Sequence, residues 1–214
     1  EALWDSGNAF SELERLYVAD LINDPENFSS SMQLASVYSA TDRRTRAKKI
    51  IDHWLPKQES LNIEDQAQLR EILSELQCLE GDFKHAMHNY HWRLKRWKRW
   101  SGDLKQPEWR GESLNDKSLL VYAEQGIGDQ IMFMSLLPDL MEICDRIFVE
   151  CDARLVNLFR RSFPGVDFFP VENSERIEMG ERKPDFQIAM GSLGCWLWDK
   201  FERKKKTPYL FLFQ

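Results

Sequence analysis

Apolar residues recur at helical spacing through the first half of the chain and gather into short runs in the second half. Between Phe10 and Ile22, the residues Phe10, Leu13, Leu16, Tyr17 and Leu21 fall on one stripe of a helix. Asn23-Asp24-Pro25 ends that helix, because proline cannot continue it and disfavours helical backbone at the residue before it. Met32, Leu34, Ala35, Val37 and Tyr38 predict a second helix, and Thr41-Asp42 breaks the chain after it. Ala47, Ile50, Ile51 and Trp54 predict a third, closed by Pro56. A fourth is expected from Ile63 to Leu79. Gly81-Asp82 then turns the chain into a fifth, marked by Phe83, Ala86, Met87, Tyr90 and Leu94. The first hundred residues therefore read as an array of helical hairpins, with a plain helical bundle as the alternative.

From Lys117 the pattern changes. Strands are expected at Ser118–Ala123, Arg146–Glu150, Val166–Pro170 and Asp185–Met190, the last introduced by Pro184. Helices are expected at Asp129–Ile143 and Ala153–Arg161. Residues 172–184 are charged and poorly patterned, which predicts a loop with a short helix. The tail from Lys200 reads as a basic loop followed by an apolar, strand-like end. Strands alternating with helices imply a parallel sheet with right-handed crossovers. The expected fold class is α + α/β, with helical hairpins in 1–100, a connector in 101–116 and a parallel α/β domain in 117–214.

Composition narrows the functions. A net charge of -6 argues against nucleic acid as a partner, since neutralising phosphates needs a basic surface. Trp92, Trp97, Trp100 and Trp109 do alternate with Arg and Lys between residues 91 and 117, a pattern also found in single-strand binders. The acidic total favours packing by these aromatics, with long basic stems covering them. Cys78, Cys144, Cys151 and Cys195 form no CxxC and lack zinc-site spacing, so no metal is expected and reduced thiols in a cytoplasmic protein are. No apolar run approaches the roughly 18–20 residues that span a bilayer, so the chain is expected not to be transmembrane. The N-terminus has no signal-peptide pattern and no initiator Met, so a piece of something longer is expected.

The candidate chemistry lies in Leu119–Pro138, LLVYAEQGIGDQIMFMSLLP. An apolar strand, a turn with Gly126 and Gly128, and a helix follow in that order. Such a turn lies at the carboxyl edge of a parallel sheet, where ligands bind in open α/β folds. The glycines would allow a tight turn and a close backbone approach, and the helix start would favour an anion. Asp129 there either N-caps the helix or acts as a general base on a sugar hydroxyl, and both roles can coexist. The dinucleotide fingerprint is incomplete, with Ile131 at the third glycine position, although Glu150 ends the second strand where a ribose-binding acid would sit.

Two resemblances join these observations. Gly81-Asp82-Phe83, Ala86 and Tyr90 resemble the turn and second helix of tetratricopeptide repeats, although Arg70 and Ser74 stand where that family has an aromatic and a glycine. Tyr90-His91-Trp92-Arg93, Trp109-Arg110-Gly111-Glu112 and Glu124 to Asp129 together look like bacterial heptosyltransferase-like GT-B glycosyltransferases preceded by tetratricopeptide repeats. Phe163-Pro164-Gly165-Val166 and Pro208-Tyr209-Leu210 look like the same group. The resemblance covers residues 80–210. It implies a Rossmann-like domain that is the N-terminal half of a GT-B fold, moving a sugar from a nucleotide-sugar donor to an acceptor hydroxyl. Asp129 would be the catalytic base, and Glu124, Gln125, Gly126, Ile127, Gly128 and Gln130 would line the acceptor side.

The resemblance implies no cofactor, the nucleotide sugar being a substrate held mainly by a second α/β domain. The acceptor would be a glycan, lipid-linked sugar or protein, and the helical hairpins would hold a peptide or protein partner. This chain is expected to stop before the donor domain and to be inactive alone. The competing expectation is a non-catalytic helical-repeat interaction module with an inert α/β remnant.

Overall fold

The computed structural model describes residues 7–96, 105–171 and 183–203. The chain divides into two compact units, Glu1–Trp97 and Lys98–Gln214. The first is helical. The second holds a four-stranded parallel sheet, so the fold class is α + α/β as the patterning predicts.

In the helical unit, α1 spans Gly7–Asn23, α2 Phe28–Ala40, α3 Arg44–Trp54, α4 Ile63–Glu80 and α5 Phe83–Tyr90. Local chemistry sets several boundaries. The side chains of Asn27 and Asn62 cap α2 and α4 by accepting from Ser30 N and Asp65 N, both at 2.9 Å. Gly81 ends α4 in the left-handed conformation, φ 84°, where a side chain would be strained. Asp82 then caps α5. Met32, Ala35, Ala47, Ile51, Leu69 and Ile72 form the centre of the core, with Trp54 set edge-on to Phe28.

α4 and α5 meet closely at Ala86, which is fully buried, and Ser74 Oγ donates to Ala86 O at 2.8 Å. Arg70 joins the same seam. It donates to Asn89 Oδ1 and Gln58 Oε1, and its guanidinium lies over the ring of Trp92. The fifth helix is shorter than its expected reach to Leu94. α-Helix gives way at Tyr90 to a 3-10 turn over His91–Lys95. There the buried Arg93 folds back over the Tyr90 ring, 4.1 Å from its centroid, and donates to Tyr90 O at 2.9 Å. Trp97 and Trp100, expected to continue the stripe, lie outside the described residues.

In the second unit, β1 is Ser118–Tyr122, β2 Arg146–Cys151, β3 Asp167–Pro170 and β4 Phe186–Ala189, ordered β3-β2-β1-β4 and parallel at every pairing. Leu120 faces Phe148 on one side and Gln187 on the other. Leu119, Leu120 and Val121 are all buried, as expected for a strand covered on both faces. Phe159, Phe163 and Phe168 form an aromatic cluster between the helix after β2 and β3.

Three expectations need correction. The helix after β1 is broken: α6 spans Ile127–Phe133, a 3-10 turn covers Met134–Leu136, and α7 spans Leu137–Met141. Pro138 lacks an N–H and cannot continue a helix from the preceding turn, so α7 restarts with that proline in its first turn. The helix after β2, α8, is Val156–Ser162. After β4 the chain forms α9, Leu193–Arg203, so the expected basic loop is helical as far as Arg203. Residues 172–182 and 204–214 lie outside the described residues.

The expected connector belongs to the α/β unit from Lys105 onward. Trp109 N donates to Gln187 O at 2.8 Å and Gln187 N donates to Pro107 O, which lays this segment along β4. Trp109 is buried, and its indole N–H donates to Glu112 O at 2.9 Å. The Glu112 carboxylate accepts from Arg110 N, closing the Trp-Arg-Gly-Glu run into a turn.

Candidate functional site

The strand order places a switch point between β1 and β4: the chain steps outward from β1 to β2 and β3, then returns to the other side of β1. In open parallel sheets, the crevice outside the carboxyl ends of such strands is where ligands bind. The Leu119–Pro138 stretch puts its glycine turn at this place. Residues 123–126 leave β1, and Met190–Ser192 leave β4.

Glu124 ties the two loops. Its Oε1 accepts from Gly191 N at 3.1 Å. On the opposite side, Gln130 reaches the loop after β2. Its Oε1 accepts from Asp152 N at 2.8 Å, while its Nε2 donates to Gln125 O at 2.9 Å. Gln130 was expected to line the acceptor side, but its amide is buried and bonded to backbone at both ends. Gly191 and Asp152 complete the site, and sequence spacing gave no sign of either.

The glycines serve no conformational purpose in the turn. Gly126 has φ -64° and ψ 171°, ordinary extended backbone for any residue, and Gly128 lies within α6. A Cβ on Gly128 would meet nothing within 4 Å, and one on Gly126 would meet only Asp129 Oδ2, at 3.5 Å. Both glycines are exposed. A tight turn was one expected reason for them. Close backbone approach was the other expected reason, and among the described residues no group comes close enough to either glycine to require it.

Asp129 sits in the first turn of α6, while the N-cap is Gly126 and no side chain caps the helix. The simple capping role considered for Asp129 is therefore not what it performs. Its carboxylate leans back over Gly126. Among the described residues, no hydrogen bond or ion pair engages it. Gln125 and Ile127 are half-buried beside it.

This edge is acidic. Glu124, Asp129 and Asp152 border it, and Arg154 holds Asp152 through Nε and Nη2, each at 2.9 Å. That pairing pulls the Asp152 carboxyl down to about 2, the side-chain hydrogen bonds from Arg154 being the main cause. The only basic residue between Ser118 and Ala153 is Arg146, at the opposite end of β2. With α6 short and Asp129 in its first turn, the edge suits hydroxyls better than the anion expected there. Cys151, at the end of β2, is pushed up to about 12, mainly by burial, and is no nucleophile at neutral pH. No group of three or more His, Cys, Asp or Glu among the described residues is disposed to hold a metal ion. No described helix is long and apolar enough to cross a membrane.

Comparisons with known proteins add little. No protein-family model matches the chain, and no solved structure matches it. A stretch of 62 residues, 28% of the chain, is similar to protein FlbA of Caulobacter vibrioides at 39% identity. That stretch spans only 10% of FlbA.

Proposed function

We propose that the α/β unit is the acceptor-side half of a heptosyltransferase-like GT-B glycosyltransferase, joined to tetratricopeptide-like helical hairpins. The observation that carries this reading is the turn itself. At the switch point of the sheet, two exposed glycines that the local backbone does not require adjoin a carboxylate that no hydrogen bond or ion pair engages among the described residues. A general base needs such a carboxylate, within hydrogen-bond reach of the proton it removes.

In this reading, the Asp129 carboxylate accepts the proton of an acceptor hydroxyl. The acceptor oxygen forms a bond to the anomeric carbon of the donor sugar. The bond from that carbon to the nucleoside diphosphate breaks, and the leaving oxygen takes the electron pair. Gly126 and Gly128 let the acceptor approach the backbone. A second α/β domain would hold the donor, and the helical unit would hold the acceptor's carrier or a protein partner.

The test is sugar transfer by the protein made from its complete reading frame. Asp129→Asn should abolish transfer and leave the fold intact. Transfer at the wild-type rate would remove Asp129 as the base, whereas no transfer by the wild-type protein itself would favour a non-catalytic binding module. α1, which exposes Leu16 and Ile22, would then be the first surface to probe for a partner.

A further inference from the structure

The turn that carries Asp129 lies beyond the end of β1, where no ladder of backbone bonds holds it among the described residues. Side chains hold it instead. Glu124 fastens it to the loop after β4, and Gln130 fastens it to the loop after β2. Gln130 is only 2% exposed and uses one donor and one acceptor, on two different loops. Only a side chain carrying both can make this pair of bonds; a carboxylate has no donor and an ammonium has no acceptor. Gln130 also follows Asp129 directly and gives α6 its first backbone bond, Gln130 N to Gly126 O at 3.1 Å.

We infer that Gln130 is a positioning residue. It latches the turn between the ends of β1 and β2, and so fixes the Asp129 carboxylate over Gly126. The inference rests on the reading of Asp129 as a base. It is a separate claim about what holds that base in place.

Gln130→Glu gives the decisive test. A protonated glutamic acid reproduces both bonds: its O–H donates to Gln125 O and its carbonyl accepts from Asp152 N. An ionised one keeps an acceptor for Asp152 N but has nothing to give Gln125 O. Burial raises the pKa of such a carboxyl. The charged groups on the elements it joins are Glu124 and Asp129 from the turn, and Glu150, Asp152 and Arg154 from the end of β2 and the loop beyond. The four carboxylates push in the same direction, and Arg154 is already engaged by Asp152.

The amide resonances of Gly126, Gly128 and Asp152 should therefore match wild type at the acid end of a range from about pH 5 to pH 10 and leave those positions in one step as pH rises. Wild type should show no such step. Gln130→Met fills similar space without polar atoms, and its amides should sit away from wild type at every pH. Resonances of Gln130→Glu that stay at wild-type positions throughout would overturn the latch. So would Gln130→Met resonances unmoved from wild type. Should Gln130→Met fail to fold, the glutamate variant carries the test.

In the complete protein, transfer by Gln130→Glu should recover as pH falls. Gln130→Met should lower kcat by about 10-fold or more, a larger factor than any rise in the acceptor KM, because misplacing a base acts chiefly on chemistry. The two claims separate cleanly. If the amides titrate but Asp129→Asn transfers sugar normally, the latch stands and the base falls; if Asp129→Asn is dead and the amides do not titrate, the reverse holds.

Discussion

Gly111 lies flat against the indole of Trp196: a Cβ on Gly111 would stand 2.8 Å from Trp196 Cε3. Gly111 also has φ 91°, a backbone conformation that L side chains rarely adopt. This glycine, unlike those of the candidate site, is explained entirely from within the chain. Gly111→Ala meets both strain and clash and should destabilise by about 1–3 kcal/mol, read as a lower urea midpoint. Trp196→Ala in the same chain removes the clash but not the strain. The double variant should then lose less than the two single losses added together. Strict additivity would mean that the indole does not set the cost.

Gly128 should behave in the opposite way. It lies in α6 with open space where a Cβ would point. Gly128 is the second residue of α6, so Gly128→Ala should stabilise the fold by about 0.4–1 kcal/mol, chiefly by reducing the conformational entropy of the unfolded chain. If an acceptor approaches the backbone here, the same methyl should weaken acceptor binding and lower sugar transfer. Raised stability with lowered activity is the expected pair of results, from a denaturation curve and a transfer assay. Raised stability with full activity would leave the glycine without a functional reason.

Much of the fold was legible because the chain changes period once, from helical stripes to short apolar runs. Asn27, Asn62 and Asp82 cap where such residues usually cap. The sheet's parallel order follows from the alternation of strand and helix. Less visible were features that depend on distant partners. Pro138 was plain in the sequence, yet the run of apolar residues across it concealed the break in α6. The Trp109 segment reads as loop by its Gly and Pro content, but Gln187, far along the chain, recruits it to the sheet. Asp129 and the glycine turn could be found by spacing. That Gln130 points inward, and that Glu124 reaches Gly191, depends on strand order and cannot be read from one turn.

Asp185 should give the sheet a measurable acid dependence. Its Oδ2 accepts from both Ser118 N and Ser118 Oγ at 2.8 Å, joining the segment before β4 to the start of β1. The hydrogen bond from Ser118 N, then that from its hydroxyl, holds the Asp185 carboxyl below its ordinary value of 3.8, with Lys117 adding a smaller pull. Folding therefore favours the ionised form. The stabilisation is complete above the unfolded value and is lost as pH falls through the lower folded value. Because the side chain is 39% exposed, solvent screening keeps the effect modest. Asp185→Ala should lower the urea midpoint at neutral pH, and its difference from wild type should shrink below pH 3.8. A difference constant across that range would mean that the carboxylate's charge contributes nothing.

The close approach of α4 and α5 yields a prediction for the helical unit alone. Ala86 is fully buried, and Ser74 Oγ donates to Ala86 O, so the two helices meet where both residues are small. Ala86→Leu must force them apart or push its neighbours off their preferred rotamers, at a cost of about 1–3 kcal/mol. Ser74→Ala removes a single buried hydrogen bond and keeps the spacing, so it should cost less, about 0.5–1.5 kcal/mol. Ser74→Gly frees space directly opposite the new leucine. Its own loss includes about 1 kcal/mol of helix propensity. Combined with Ala86→Leu, it should recover part of the over-packing penalty, so the pair would be less damaging than the separate losses added. Urea curves of the four variants and wild type decide the point. If Ala86→Leu were no worse than Ser74→Ala, the contact would be loose, and the small residue at position 86 would lose its packing explanation.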